Sequence, residues 1–256
     1  MWTRDAERPV PLWRPGAGAD ARAILAFTTR RGGVSAPPFD TLNLGRSTVD
    51  LPGAVRENRR RVLDALGLDP ERIVTAGQVH GADVVRADLP GHVPGCDALV
   101  TTRAGLALAV TAADCMPLVF AAPGVVAVAH SGWRGTAAGV LVATLRAVCE
   151  AGGVAPSDVT VHLGPCIRGC CYEVGPDVAA IFPAESLRRD GDRVRLDLPT
   201  VARAQLAAAG VLNLEDTGAC TACEPYWYFS HRRDRGATGR HWAVAALHDV
   251  RTGAGV

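Results

Sequence analysis

Residues Gly105–Ser131 read GLALAVTAADCMPLVFAAPGVVAVAHS, and the way this stretch is punctuated decides the fold. Three apolar runs of strand length, Leu106–Thr111, Pro117–Ala121 and Val125–His130, are separated by Asp114, by Pro117 itself and by Pro123-Gly124. Those interruptions rule out a single membrane-spanning helix, which needs ~18 or more unbroken apolar residues. Runs such as LALAV and VVAVA show no polar alternation. They predict strands buried on both faces, in sheets covered on either side.

Working outward, further strands are expected at Ala23–Phe27, Arg72–Thr75, Asp83–Arg86, Ala98–Thr101, Val159–Leu163, Arg193–Leu198 and Trp242–Leu247. Asp50-Leu51-Pro52 marks a helix start. Val55, Val62, Leu63 and Leu66 fall on one face of that helix, and Gly67 stops it. Further helices are expected at Arg134–Ala151, closed by Gly152-Gly153, and near Pro176–Phe182 and Pro199–Ala209. The chain shows neither a fixed-period repeat nor a dividing linker. Residues 21–256 are therefore predicted to form one domain of the α+β (mixed α/β) class, a layered sandwich of sheets covered by helices. Residues 1–20, rich in Pro, Gly and Ala, are expected to form a loose, flexible arm.

Composition narrows the function. The chain is 48% hydrophobic and 21% charged, ordinary for a globular protein with a substantial core. With a net charge of +1 it lacks the basic footprint of a nucleic-acid or membrane-surface binder, so neither partner is expected. All 27 basic residues are arginine, which excludes a Schiff-base, pyridoxal-phosphate or Walker-type lysine. The first residues contain no apolar signal core, and a cytoplasmic location is expected. In that reducing setting the eight cysteines read as thiols, ligands or core residues rather than disulfides.

Three segments place a reactive group where a buried strand meets a turn: His80 in QVHG, Asp114 and Cys115 in TAADCMP, and His130 in VAHSGWRG. Two imidazoles and a thiolate suit Zn²⁺ or copper and leave a fourth coordination position open. The same residues also fit a metal-free cysteine hydrolase, with Cys115 as nucleophile, His80 or His130 as base and Asp114 as orienter. Cys166, Cys170 and Cys171 in GPCIRGCC are read as structural thiols. Cys220 and Cys223 form a CxxC that lacks a second half and is read as incidental. Trp133 is read as a packing residue, and Arg232, Arg233 and Asp234 as a charged segment.

The motifs TTRRGGVS, NLG, VRENRRRV, QVHG, TAADCMP, HSGWRG, GPCIRGCCYEVG and a terminal CT…YFSHRRD…GR occur in one order over nearly the whole chain. In this the sequence resembles the YfiH family, also called the polyphenol oxidase, laccase-domain or peptidoglycan-editing-factor family. It departs from the family at His231, where an aromatic Tyr is usual, and in adding Cys223. The resemblance implies a layered, cysteine-hydrolase-like α/β sandwich shared with certain toxin deamidase domains. It implies one metal, usually zinc, held by His80, Cys115 and His130. It further implies phosphorolysis of adenosine, inosine, guanosine and methylthioadenosine, and deamination of adenosine. The partners would then be purine nucleosides and phosphate. Phosphate would need cationic donors, for which Arg30, Arg31, Arg46 and Arg134 are candidates, while Asn43 and Gln78 are candidates for base or ribose. A copper-dependent polyphenol oxidase is a weaker alternative, because seven histidines without one His-x-His pair are few for a multi-copper cluster. A cysteine hydrolase acting on peptidoglycan precursors is another.

Overall fold

The computed structural model describes residues 1–16 and 23–249. Two large mixed sheets carry it. The first runs in the order β1 (Trp2–Arg4), β2 (Leu12–Pro15), β3 (Ala23–Thr28), β16 (His241–Leu247), β8 (Ala107–Ala112), β4 (Ile73–Gly77), β6 (Gly91–Pro94). The second runs β15 (Asn213–Asp216), β11 (Thr160–Leu163), β9 (Met116–Ala122), β10 (Val125–Ser131), β7 (Ala98–Thr101), β5 (Val84–Arg86). A small three-stranded sheet, β12 (Glu173–Val174), β14 (Arg193–Leu196), β13 (Leu187–Asp190), stands apart.

The unalternated apolar runs behave as expected. In β10, Val126 and Val128 face the first sheet, where they meet Phe27, Leu108, Val110 and Ala243. Val125, Ala127 and Ala129 point the other way, onto helix α3 (Val140–Gly152) and helix α5 (Leu198–Ala208). Helix α1 (Pro52–Leu66) covers the far face of the first sheet through Val62, Leu63 and Leu66, packed with Leu44, Trp242 and Val244. Each such aliphatic side chain contributes roughly 1.5–3 kcal/mol by leaving water. The layers are therefore helix, sheet, sheet, helix.

Three expectations are corrected. The N-terminal residues that are described are not a loose arm: β1 and β2 pair with each other, and β2 pairs with β3. Trp2 and Leu12 are buried, Trp2 packs on Phe27, and its indole N–H donates to His162 Nδ1 at 3.0 Å. Residues 17–20 of that expected arm lie outside the described residues, as do 250–256 at the far end of the expected domain. The single helix expected over Arg134–Ala151 is two, α2 (Trp133–Ala138) and α3, because Gly139 takes the left-handed conformation (φ 88°) between them. The strand expected to reach Leu198 ends at Leu196, where Asp197 accepts a hydrogen bond from the Thr200 amide and caps α5. Helix α4 (Pro176–Ala179) is correspondingly short.

Candidate active site

His80 and Cys115 come from two separate connections and His130 from the end of a strand. His80 sits in the turn after β4 with φ 62°, and Asp114, just before Cys115 in the β8–β9 turn, has φ 84°. Non-glycine residues in this region are strained and persist where surrounding contacts over-determine them. His130 lies near the end of β10. One donor atom from each of the three falls within 4.8 Å of the others. The two imidazole rings meet edge-on, with centroids 4.8 Å apart. Gly132 closes the cradle from behind: a Cβ there would stand 2.9 Å from Cys115 Sγ and 3.3 Å from His80 Cδ2.

The residue that orders this group was not among those singled out in the sequence. Asp97, fully buried just before β7, accepts from His130 Nδ1 at 2.8 Å and from the amides of Val79, His80 and Gly81 at 3.2, 3.0 and 2.7 Å. One carboxylate thus fixes both the His80 turn and the His130 ring, leaving His130 Nε2 as the ring nitrogen free to coordinate. This is the arrangement by which carboxylates orient metal-ligating histidines. Burial opposes charge on Asp97, but the hydrogen bonds from His130 and from the Gly81 and Val79 amides outweigh it and hold the carboxyl below its ordinary value. Burial likewise opposes the Cys115 thiolate, yet the charge of His130 and hydrogen bonds from both histidines pull its pKa down to about 6. His130, disfavoured by burial but drawn by Cys115 and Asp97, rises to about 9. Two histidines, an ionisable thiol and a carboxylate behind one ring form a donor set that fits a zinc-type ion.

Asp114 does not serve as orienter to either histidine. Its carboxylate accepts from Thr221 Oγ1 at 2.6 Å, Ser230 Oγ at 3.0 Å and the Arg232 amide at 2.6 Å. It ties the Cys115 turn to the C-terminal loop.

A cavity of about 420 Å³ opens over His80, Cys115 and His130, with Gln78, Tyr172, Arg134, Arg232 and Arg240 on its walls. Gln78 is held by Thr111, donating to its carbonyl at 2.7 Å and accepting from its amide at 2.8 Å. The guanidinium of Arg134 stacks on Trp133, which also lines the cavity and packs against the small apolar cluster around Phe182. The other predicted binders lie elsewhere. Arg30 is committed to Asp40 and to the Pro225 carbonyl, and Arg31 stacks on Tyr226; neither lines this cavity. Asn43 is buried, donating to Thr48 and Asp50 and accepting from the Gly45 and Arg240 amides, so its polar atoms are used in holding loops together. Arg46 lines a separate cavity of about 490 Å³ with Arg56 and Arg59, which contains none of His80, Cys115 and His130. A smaller cavity lies between the two, sharing Gln78 with one and Arg46 with the other. Arg232 and His231 were read as parts of a charged segment and a departure from the family, yet both line the site; the YFSHRRD motif was the available signal.

Fold and site together define a layered α/β protein with a His–Cys–His centre under an arginine-walled cavity. The chain belongs to the YfiH family: the family model described as multi-copper polyphenol oxidoreductase laccase matches residues 24–248. It is 44% identical over 227 residues to a Streptomyces coelicolor protein named purine nucleoside phosphorylase SCO2081, covering 85% of this chain and 93% of the relative. It is 38% identical over 240 residues to purine nucleoside phosphorylase YfiH of Escherichia coli, covering 90% and 95%. Among solved structures, YlmD of Geobacillus stearothermophilus superposes with a TM-score of 0.90 at 38% identity, covering 97% of this chain and 99% of that one.

Proposed function

We propose that this protein is a zinc-dependent purine nucleoside enzyme that cleaves purine nucleosides with phosphate and deaminates adenosine. The observation that carries the reading is the placement of His80, Cys115 and His130 on the floor of a cavity walled by Arg134, Arg232 and Arg240. Relatives named purine nucleoside phosphorylases supply the substrate class.

The chain's own groups divide the work. Asp97 fixes the His130 ring and the His80 turn. A bound zinc ion would supply a Lewis acid at the cavity floor. Arg134, Arg232 and Arg240 hold phosphate against the ribose anomeric carbon, so that a phosphate oxygen forms the new C–O bond as the bond to the base nitrogen breaks. Charge-assisted hydrogen bonds from guanidinium suit that oxyanion. Tyr172 and Gln78 line the space left for the nucleoside, and Thr111 fixes the Gln78 amide. Asp114 keeps the Arg232 backbone on the wall.

Chromatography of adenosine incubated with zinc-loaded protein, with and without phosphate and after chelation, tests this. Expected are adenine only with phosphate and inosine without it, both lost on chelation. Unchanged adenosine in every sample would overturn the reading. It would favour instead a cysteine hydrolase, for which the depressed Cys115 thiol beside His130 is the supporting observation.

A further inference from the structure

A second group of converging side chains lies apart from His80, Cys115 and His130. Cys170, Cys171, Cys220 and Cys223 bring their four sulfurs within 4.8 Å of one another. Individual separations are 3.5 Å for Cys170–Cys220, 3.6 Å for Cys170–Cys223 and 3.3 Å for Cys171–Cys223. A tetrahedral zinc tetrathiolate with bonds of ~2.3 Å places its sulfurs about 3.8 Å apart. The cluster has that size. It is too tight to admit an iron–sulfur core, which carries bridging sulfides between its thiolates.

The frame around the sulfurs is built rather than accidental. The two loops that carry them are joined by a parallel bridge between Cys166 and Cys220, with the Thr221 amide donating to the Cys166 carbonyl at 3.0 Å. Arg168 reinforces the joint, donating to the Ala219 carbonyl at 3.1 Å while pairing with Asp216. Cys220-x-x-Cys223 forms a turn in which the Glu224 amide donates to the Cys220 carbonyl at 3.2 Å. Cys170 and Cys223 are exposed, so apolar burial does not account for four thiols gathered here. Structural zinc sites join two pairs of cysteines in this way, one of them with CxxC spacing; here the other pair is adjacent in sequence.

We propose that Cys170, Cys171, Cys220 and Cys223 form a second metal site, a closed tetrathiolate centre for a zinc-type divalent cation. Binding replaces thiol protons with the cation and releases those protons to solvent, with no redox change. The centre clamps two walls of the catalytic cavity. Tyr172, which lines it, follows Cys171 directly, and Thr221, between Cys220 and Cys223, donates to Asp114 beside Cys115. The proposal does not depend on the nucleoside reading, because metal content reports it without turnover.

The test is zinc stoichiometry on the full chain, purified and loaded under reducing, oxygen-free conditions. Wild-type protein is expected to hold two zinc ions per chain and Cys115→Ser one. Cys223→Ser is expected to lose the other, and the double variant to hold none. Should Cys223→Ser fail to fold, peptide mapping of alkylation on Cys115→Ser protein serves instead: zinc is expected to protect all four cysteines. Cobalt in that protein is expected to give the thiolate charge-transfer bands of a tetrahedral site. A Cys115→Ser chain that binds no zinc, with alkylation unchanged by the metal, overturns the proposal. So does a Cys171–Cys223 disulfide that persists in the reduced, zinc-loaded protein.

Discussion

Asp97 Oδ1 lies 2.8 Å from His130 Nδ1, although 33 positions separate the two residues, and the same carboxylate receives the His80 amide. Two of the three converging residues are thereby set by one buried charge. Replacing Asp97 with Asn keeps the shape and removes the charge. The loss of an outer carboxylate of this kind is expected to weaken zinc binding by about 10–100-fold. Competition with a chromophoric chelator measures it, and an affinity equal to wild type would show that Asp97 serves the turn alone.

Gly132 offers a steric test of the same centre. Its φ of −80° is open to alanine, so the backbone tolerates the change, but the added methyl would sit 2.9 Å from Cys115 Sγ. Gly132→Ala is expected to reduce turnover by roughly ten- to a hundredfold through displaced ligands. Its far-ultraviolet circular dichroism should match that of the native protein. Full activity would mean that Cys115 can shift without cost, contrary to a fixed ligand geometry.

The arginines separate by placement. Arg134 lines the cavity, whereas Arg31 stacks on Tyr226 outside it. Losing a charged hydrogen bond to phosphate costs about 1.5–3 kcal/mol, so Arg134→Ala is expected to raise the KM for phosphate by about tenfold or more. Arg31→Ala is expected to leave it unchanged. Initial rates against phosphate concentration decide between them, and the reverse pattern would return the phosphate site to the TTRRGG turn.

These placements show where the sequence was legible. The core strands could be read because LALAV and VVAVA are buried on both faces and carry their own punctuation. The convergence of His80, Cys115 and His130 was legible from polar residues at the ends of such runs. Asp97 was not, since an acid after Gly95-Cys96 reads as loop until its complete burial is seen; the signal available was a charge leading directly into the apolar Ala98–Val100. Trp2 and Leu12 were hidden by a Pro- and Gly-rich neighbourhood that suggested an arm. The four-cysteine group escaped because its halves, Cys170 and Cys220, are 50 positions apart and only the pairing of two loops unites them. Arg30 and Asn43 have the right chemistry for substrate, but spend it on loop contacts that no local pattern reveals.

Acid stability follows from two buried histidines outside the site. His241 is held down to about 3, chiefly by burial and also by the charge of Arg30 and Arg240, while the Phe229 amide donates to its Nε2 at 2.8 Å. His162 is held down to about 4, again mainly by burial; Glu215 opposes the shift and the N-terminal charge adds to it. In the unfolded chain both titrate near 6.5. Below about pH 6.5 the unfolded state therefore binds protons that the folded state refuses, and stability falls as the pH drops toward 4. Above that value both are neutral in either state and contribute no slope. Each histidine adds at most ~1.4 kcal/mol per pH unit within this window. Urea unfolding between pH 7.5 and 4.5 (roughly the span set by linkage) is expected to show the loss. His162→Gln should flatten it, whatever its effect on stability at neutral pH. An unchanged slope in that variant would mean that His162 takes up its proton while the protein is still folded, with the Glu215 carboxylate 3.5 Å away as the partner that allows it.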